Sequence, residues 1–588
     1  MKTRILLFTA LLAFGSAFSQ QWEYHWAERI ASLEDEDEAM FVRIDSDDNV
    51  YVALEYQGAI TVGDTDYPTP ADNGRDILVI KYDDSGNVLW SGNIAGAGSA
   101  SGAGNGDLLE GMEVDPDGNL ILIGNLGNGA NIMGVQTNYL NDPFDNPGNR
   151  NFVAKISASG ELVWHVVRSG SDLLNDYFTA VHIDGAGNAY IAASNESSGD
   201  DYEIIGAGGS EVSSVENTGL YLFKLNSDGE VLWLDPIPYP GAKQLAVDGN
   251  GDILYSAHEA DVDDDVSETG HYLIKLSGET RETIWTRFSD TEGYYQDREL
   301  GIHINADNSI IHFHATDRDV IDFGDGFSVD SEFNDLGVLW KVDSDGQTTS
   351  VHRVADLFDE PYYSIDALDN MVTVQSFAMT NDDQFYLACG LEDAATLADG
   401  TVLTPSEGLS PSIAASDALL LQINSDFTIQ GVSFEDGGAN QRGMDVAPFA
   451  NGDAALIGHY SSGTFYGSAI YGDTELESLN NSKDMFLTRI TSGFPVANGL
   501  VDKASDFKFN QYPVPAINIL TIEFENSLSA KADIDFLDIN GRVVYSHSVD
   551  GHGQVRTTID ISRIPSGIYF SRITIGRESF GNKLVISK

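Results

Sequence analysis

The chain has 588 residues, 42% of them hydrophobic, and a formal net charge of −61. That length exceeds what one hydrophobic core serves, so two or more domains are expected, and the apolar and aromatic content excludes an intrinsically disordered chain. The acidity argues against nucleic acid and against anionic membrane surfaces as partners, because both would repel it. It fits a solvated exterior in a salty medium, or a surface that collects divalent cations.

The first residues predict a secretory signal peptide over 1–19. A basic start is followed by a short apolar run over 5–14, which is too short to span a membrane. Small side chains near the end of the segment predict cleavage between Ser19 and Gln20. No later segment has 18 uninterrupted apolar residues, so we expect no transmembrane segment in the mature chain.

Residues 20–494 contain internal repeats. A strand, a turn of Asp, Asn and Gly, and a second strand recur seven times, as in VRIDSDDNVYVAL (42–54) and MEVDPDGNLILIG (112–124). A second hairpin motif follows each copy, as in ILVIKYDDSGNVLWS (77–91). Alternating apolar residues predict strands with one buried face, and the Asp-Gly pairs supply the positive φ angles of tight turns. Each unit therefore holds four strands.

The tryptophans give the period of the repeat. Equivalent places, 52 to 74 residues apart, are held by Trp26, Trp90, Trp164, Trp233 and Trp285. Units of this size with four short strands are typical of propeller blades. The last unit has no Trp strand of its own, but residues 22–32 align with 88–96 and predict a strand that closes the ring. We therefore predict an all-β, seven-bladed β-propeller closed by an N-terminal strand, with six or eight blades as alternatives. The pattern also resembles the β-propeller repeat family of bacterial secreted proteins.

Several acidic turns resemble fragments of calcium-binding loops. They include Asp45-Ser-Asp47-Asp48 and Asp115-Pro-Asp117-Gly118, but strands follow at once, so the 12-residue loop of an EF-hand is absent. We interpret them as hairpin turns. Between two strands of the fourth unit, a run of aspartates could hold a cation or form a solvated loop: Asp261, Asp263, Asp264 and Asp265. No cofactor is expected; weak binding of a divalent cation such as calcium is the alternative.

Two other groups of side chains allow a functional and a structural interpretation. His303, His312 and His314 could form a three-histidine metal site, or could be packed imidazoles, since the other units have apolar residues there. Cys389 is the single cysteine, so no internal disulfide is expected. It lies in the strand-like run FYLACG, and we expect a buried, inert thiol.

Long inserts join the second and third strands of several units, at 127–151, 391–416 and 460–482. We expect them to emerge on one face of the ring, where loops on a rigid scaffold often carry recognition. Their Tyr and Phe side chains could stack on sugars. The alternative is a set of loops without a ligand.

The last 81 residues form a separate domain. Residues 508–588 contain nine Lys and Arg and eight Asp and Glu, so the acidity resides in the preceding part of the chain. This step in charge marks a boundary, with a turn-rich linker at 495–507. Alternating strands such as ILTIEF, RVVYSHS and IYFSRITI predict an antiparallel sandwich of about seven strands.

This domain closely resembles the type A C-terminal sorting domain of the type IX secretion system of Bacteroidetes-type bacteria. The family's opening Tyr-Pro-Asn-Pro appears here as Tyr512-Pro513-Val514-Pro515, with Val514 in place of Asn. The matching residues are Tyr512, Pro513, Pro515, Asp538, Gly541, Arg542, Pro565, Gly567, Tyr569 and Lys583. The resemblance implies recognition by the outer-membrane translocon and export to the cell surface or medium. An ordinary adhesion-type sandwich is the alternative.

No catalytic signature accompanies these features: HExxH, GxSxG, P-loop and CxxC spacings are all missing from the sequence. We therefore expect a secreted or surface propeller that binds protein or glycan without catalysis. One alternative is a polysaccharide lyase or hydrolase on the same scaffold, which a convergent cluster with shifted pKa values would favour. Another is a structural role in the matrix or in gliding.

Overall fold

Strands make up the regular structure of the computed structural model within the residues that it describes. In those residues we find no helix that is long and apolar enough to cross a membrane. The chain divides into two compact units, with the division between Thr491 and Ser492. The described residues are 23–31, 37–70, 74–97, 107–126, 128–137, 150–169, 178–195, 201–205, 211–216, 219–237, 242–259, 270–290, 298–316, 320–330, 336–356, 372–380, 384–391, 395–397, 402–403, 416–424, 429–434, 436–437, 440–461, 469–471, 474–476, 483–491, 509–512, 516–526, 531–537, 543–549, 553–565, 567–575 and 578–588.

Within its described residues, the first unit contains seven sheets that are each built on four antiparallel strands, and two smaller sheets formed by insert strands. Sheets 1 to 3 consist of β2 (Glu38–Ile44), β3 (Val50–Tyr56), β6 (Asp76–Tyr82) and β7 (Val88–Ala97); β8 (Leu108–Val114), β9 (Leu120–Leu126), β12 (Arg150–Ile156) and β13 (Leu162–Ser169); and β14 (Phe178–Ile183), β15 (Ala189–Asn195), β18 (Gly219–Leu225) and β19 (Val231–Ile237). Sheets 4 and 5 consist of β20 (Ala242–Val247), β21 (Ile253–Glu259), β22 (Gly270–Leu276) and β23 (Thr283–Asp290); and β24 (Arg298–Ile304), β25 (Ile310–Thr316), β28 (Leu336–Val342) and β29 (Thr348–Asp356). Sheets 6 and 7 consist of β30 (Val372–Met379), β31 (Phe385–Leu391), β34 (Asp417–Ile423) and β35 (Ile429–Phe434); and β37 (Asn440–Pro448), β38 (Ala454–Ser461), β41 (Lys483–Thr491) and β1 (Glu23–Ile30).

Acidic turns connect the first two strands of a unit, as the sequence predicts. In sheet 1, one carboxylate oxygen of Asp45 accepts hydrogen bonds from the backbone N–H groups of Asp47 and Asn49, at 3.0 and 2.9 Å. The other oxygen lies 3.1 Å from Nζ of Lys81, on the third strand. Asp115 and Lys155 repeat this pair at 2.8 Å. These carboxylates thus hold a turn and a lysine of their own sheet, which supports the hairpin interpretation.

The repeated tryptophans connect neighbouring sheets. Nε1 of Trp90, on the fourth strand of sheet 1, donates to the carbonyl oxygen of Ala158 in the second hairpin turn of sheet 2, at 2.9 Å. Trp164 makes the same bond to Ser227 of sheet 3, also at 2.9 Å. A side chain on Gly160 would place its first carbon 2.9 Å from the Trp90 ring. Glycine in the turn therefore leaves room for the tryptophan of the preceding unit.

The N-terminal strand joins the last sheet. β1 pairs antiparallel with β41, from Glu23 opposite Thr491 to Ile30 opposite Met485. The first strands contact one another in sequence: β2 contacts β8, β8 contacts β14, β14 contacts β20, β20 contacts β24, β24 contacts β30, β30 contacts β37, and β37 contacts β2. These contacts favour the β-propeller prediction; the seven-blade count and the closure of the ring stay predictions.

The inserts between second and third strands fold as short hairpins. The described hairpins are β4 (Ile60–Val62) with β5 (Thr65–Tyr67), β10 (Asn128–Ile132) with β11 (Val135–Gln136), β16 (Asp201–Ile205) with β17 (Glu211–Glu216), β26 (Val320–Asp322) with β27 (Ser328–Asp330), β32 (Ala395–Leu397) with β33 (Val402–Leu403), and β39 (Ala469–Tyr471) with β40 (Thr474–Leu476). β10, β16, β26 and β32 pair with the fourth strand of the preceding sheet, and β39 pairs with β36 (Asp436–Gly437), which follows sheet 6. Parts of the inserts 127–151, 391–416 and 460–482 are therefore short strands that extend an otherwise open sheet edge, and recognition by these inserts stays a prediction.

The C-terminal unit contains two antiparallel sheets with a shared core. The strands are β42 (Phe509–Tyr512), β43 (Ile519–Asn526) and β46 (Gly553–Asp560) in one sheet, and β44 (Ala532–Leu537), β45 (Val543–Val549), β47 (Gly567–Ile575) and β48 (Glu578–Ile586) in the other. Ile522 and Ile559 of the first sheet and Ile534 and Ile573 of the second belong to one buried cluster. The sandwich of seven strands therefore agrees with the prediction.

Candidate functional site

The turn before β47 is bound to the C-terminus of the chain. Nζ of Lys588 donates to the carbonyl oxygens of Ser562, at 2.6 Å, and of Ile564. The hydroxyl of Tyr569 donates to the carbonyl oxygen of Pro565 at 3.1 Å, while its ring packs in the core of the sandwich. Two parts of the predicted sorting motif, the late turn and the basic tail, are thus brought together.

The other predicted motif residues lie apart from this turn or outside the described residues. Tyr512 ends β42, and its hydroxyl donates to a carboxylate oxygen of Glu523 at 2.7 Å. Gly567 begins β47, and Lys583 lies in β48 opposite Phe570. Five motif residues lie outside the described residues, and so do the cleavage position Ser19–Gln20 and the linker 495–507: Pro513, Pro515, Asp538, Gly541 and Arg542.

A polar group, here called the inner-strand cluster, connects the first strands of four sheets. It consists of Arg43, Glu113, Asp445 and Ser376. Nη1 of Arg43 lies 2.7 Å from a carboxylate oxygen of Asp445, and its Nε lies 3.6 Å from Glu113. Asp445 also accepts from the backbone N–H of Val42, at 2.9 Å, and from the Ser376 hydroxyl. Three donors from two other sheets, sheets 1 and 6, therefore converge on one buried carboxylate of sheet 7.

Burial dominates the electrostatics of this region. The pKa of Glu113 is raised, first by burial and then by the charge of Asp445, although Arg43 opposes the shift. His182 holds the position in sheet 3 that Arg43 and Glu113 hold in sheets 1 and 2, two residues before the turn aspartate. Burial lowers the pKa of His182 to about 4. The inner strands thus carry a neutral imidazole and a carboxyl group that is easier to protonate than usual.

A second group, here called the end cluster, lies where the inserts leave sheets 1 and 7. It consists of Glu38, Glu55, Arg75, Arg442, His459 and Lys483. Nη1 of Arg75 lies 3.0 Å from Glu38 and 3.1 Å from Glu55. The other oxygen of the buried Glu55 accepts from the backbone N–H of Leu109, in sheet 2, at 2.9 Å. Glu55 therefore connects sheet 2 to the arginine of sheet 1.

The sheet 7 side of the end cluster is cationic. Arg442 lies opposite His459, and Lys483 begins the third strand at the same end. The pKa of Lys483 is lowered by burial; the charges of Arg75 and Arg442 add to that effect, whereas Glu38 opposes it. The pKa of His459 is lowered by burial and by Lys483 and Arg442. Two cations of sheet 7, Arg442 and Lys483, therefore lie near Arg75 of sheet 1, in a chain with 31 Lys and Arg against 92 Asp and Glu.

The predicted histidine group does not form a metal site. His312 lies opposite Ile302 and His303 opposite Ile311, so these two imidazoles project from opposite faces of the sheet. His312 is fully buried, with its ring 6.2 Å from that of Trp340. Among the described residues we find no group of three or more His, Cys, Asp or Glu that could hold a metal ion. Residues 261–269, with their four aspartates, lie outside the described part.

Cys389 lies in β31 and is fully buried, as predicted. Burial raises the pKa of its thiol, which keeps the sulfur in the unreactive protonated form. Sequence reasoning missed both clusters, because the partners come from different units and acidic residues are too frequent to stand out. A sequence pattern could have predicted the insert hairpins: a Gly-Asp pair, typical of a tight turn, follows a short apolar strand in ITVGDT and IYGDTE.

The comparisons with known proteins identify the C-terminal unit. Residues 510–587 match the family model of the secretion system C-terminal sorting domain. The chain therefore carries a type IX sorting domain, which exports it to the cell surface or the extracellular space. No curated protein sequence matches the chain.

Several solved structures are similar to the chain at low identity. They include the Dos1 propeller, with 9% identity, coverage of 80% of this chain and 95% of that one, and a TM-score of 0.38. An auxiliary nutrient binding protein from Bacteroides ovatus has 13% identity, coverage of 78% and 100%, and a TM-score of 0.28. The NanB sialidase of Streptococcus pneumoniae has 9% identity, coverage of 79% and 70%, and a TM-score of 0.32. At these scores the fold assignment rests on the sheet pairing described above.

Proposed function

We propose that the protein is a secreted or surface-displayed β-propeller that binds a protein or glycan ligand without catalysis. The end cluster carries the proposal. It places scarce cationic side chains, Arg442 and Lys483, at the end of sheet 7 from which an insert leaves. Charged side chains on a rigid scaffold provide orientation and specificity in binding sites.

The mature full-length chain should be screened against glycans and surface proteins, with Lys483→Met as the test variant. Lys531→Met, at an exposed position in the C-terminal unit, is the matched control. A ligand at the end cluster should bind Lys483→Met at least about tenfold more weakly, the effect of one charge-assisted hydrogen bond. Equal binding by both variants would place the ligand elsewhere, and a screen without any saturable ligand would contradict a binding role.

A polysaccharide-active enzyme is a second candidate, and the raised pKa of Glu113 favours it. Glycoside hydrolysis uses a pair of carboxyl groups in which the pKa of one, the general acid, is raised, and Glu113 lies near Asp445 in such a pair. Both carboxylates here contact Arg43, which also gives them a structural role. Release of reducing ends from a polysaccharide, abolished by Glu113→Gln in a variant of unchanged melting temperature, would establish catalysis over binding.

A further inference from the structure

The place where β1 meets the first insert hairpin differs from the equivalent places in other units. β10, β16, β26 and β32 each form a ladder with the fourth strand of the preceding sheet. The hairpin of β4 and β5 instead forms a two-stranded sheet of its own. Within the described residues it makes no ladder with β1, the fourth strand of sheet 7.

A cleft of about 560 Å³ occupies this place. Arg29 and Ala31 line it from the side of β1, and residues 59–61 and 66–68 line it from the side of the β4–β5 hairpin. The lining residue Ile60 and Ile30, which lies between Arg29 and Ala31, are buried in one hydrophobic cluster. Both walls are therefore anchored in the same core while a gap remains between their edges.

The edge of β4 presents backbone hydrogen-bonding groups to the cleft. Val62 and Thr65 flank the two-residue turn, so they exchange both hydrogen bonds of the closing pair. The next residue, Thr61, then directs its N–H and C=O away from β5. Its side chain is exposed, and its hydroxyl donates to Asp66 at 2.8 Å. A strand that entered the cleft would find an open edge here.

We propose that an extended peptide segment of a partner protein binds in this cleft as an added β-strand, hydrogen-bonded to β4 at Thr61. The chain's own strands fill the equivalent places beside β7, β13, β23 and β29, so an extended backbone is the chemistry that fits. Arg29 and Asp66 both line the cleft, so charged side chains of either sign in that peptide find an opposite charge. This inference rests on the protein-binding form of the proposed function.

The test is a phage-displayed library of random decapeptides, panned against the mature full-length chain. Thr61→Pro removes the cleft-facing N–H and leaves the ladder between β4 and β5 intact, because that N–H does not belong to it. Thr61→Ala is the matched control, since both variants lose the hydroxyl but only proline loses the N–H. Enriched peptides should bind Thr61→Pro at least about tenfold more weakly than Thr61→Ala, as for one buried hydrogen bond left unmade.

A second measurement is independent of the folding of the variants. The enriched peptide, N-methylated at alternate amides, should lose its binding to the wild-type chain, and the unmethylated peptide should protect the Thr61 amide from hydrogen exchange. Equal binding by Thr61→Pro and Thr61→Ala, binding of the methylated peptide, no enriched peptide, or a Thr61 amide already protected without peptide would each overturn the proposal. If these tests fail at the cleft while a glycan or protein ligand is lost in Lys483→Met, this inference fails and the proposed function stands.

Discussion

At the scale of single residues, the tryptophans of the fourth strands act between sheets rather than within them. Trp164 is 7% exposed and lies against Gly229, whose φ of 79° belongs to the left-handed region. A first side-chain carbon on that glycine would lie 2.7 Å from the indole. The Trp of one unit packs against the Asp-Gly turn of the next unit. The two motifs therefore recur together in the sequence because each pair forms one contact between consecutive sheets.

Replacing Trp164 tests this interaction. Trp164→Ala should lower the free energy of unfolding by about 3–5 kcal/mol, because a buried aromatic side chain is lost. Trp164→Phe keeps most of the ring but loses the hydrogen bond to Ser227, and should cost about 1 kcal/mol. Urea denaturation measures both changes. If Trp164→Ala and Trp164→Phe lower the free energy of unfolding equally, packing of the ring contributes nothing beyond the hydrogen bond, which would contradict this prediction.

Asp76 predicts a pH dependence of stability. The residue is 6% exposed, and burial raises the pKa of its carboxyl group to about 7. In the unfolded chain that pKa is about 3.9, so between these values the folded state binds more protons and stability falls as the pH rises. Asp76→Asn removes this titration and should stabilise the protein at pH 8 by at most about 4 kcal/mol, at 1.36 kcal/mol per pKa unit.

Denaturation of wild type and Asp76→Asn at pH 4 and pH 8 provides the measurement. The free energies of unfolding of the two proteins should differ at pH 8. They should become similar at pH 4, where the wild-type carboxyl group is protonated in the folded state. Asp228→Asn, in an exposed turn, is the control and should follow the wild type at both values. If the free energies of unfolding of wild type and Asp76→Asn differ by the same amount at pH 4 and pH 8, the raised pKa of Asp76 is refuted.

At the scale of elements, period-two apolar patterns and Asp-Gly turns were enough to predict the strands of the repeats. The hairpins of the inserts were not predicted, because their pairing partner lies in the preceding unit. β10, for example, pairs with β7 at Ile132 opposite Ile94, across residues distant in sequence. The end cluster was missed for the same reason: Arg442 and Lys483 lie about 400 residues from Arg75. Local sequence patterns predict strands, whereas contacts between units depend on the tertiary arrangement of segments that are distant in sequence.

The pairing of β1 with β41 gives a prediction at this scale. Deleting residues 20–32 should expose the edge of β41 and remove the bond from the Thr488 hydroxyl to the carbonyl oxygen of Trp26, which is 2.9 Å long. The melting temperature should fall, because both a strand and its packing are lost. Trp26→Ala in the full-length chain should produce a smaller decrease in the same calorimetric scan. A melting temperature unchanged by the deletion would rule out β1 as a stabilising strand.

At the scale of the whole molecule, the two units perform separate tasks. The sorting domain could be predicted in detail, since its residues match a family pattern and its charge differs from that of the preceding part. The activity of the first unit could not be predicted, because the acidic background hides the few informative charges. The inner-strand cluster illustrates this limit: Arg43 and Asp445 are unremarkable in sequence and become meaningful only when sheets 1 and 7 meet.

Removing residues 508–588 should leave the first unit folded and retained in the periplasm, since the export signal is lost. Fractionation and surface labelling of cells that express this truncation would measure its location, with the full-length chain as the control for export. Surface display of the truncation at the level of the full-length chain would refute the role of the C-terminal unit.

The pairing of β1 with β41 also constrains the timing of folding. The two partners of the Thr488–Trp26 bond are 462 residues apart. At synthesis rates of about 5–20 residues per second, the residues of β1 are therefore made roughly 20–90 s before those of β41. During that interval the segment of β1 has no partner strand in its own chain, and an unpaired segment of this kind is a template for association with other chains. The high negative charge would then slow association between incompletely folded chains by electrostatic repulsion until β41 pairs with β1.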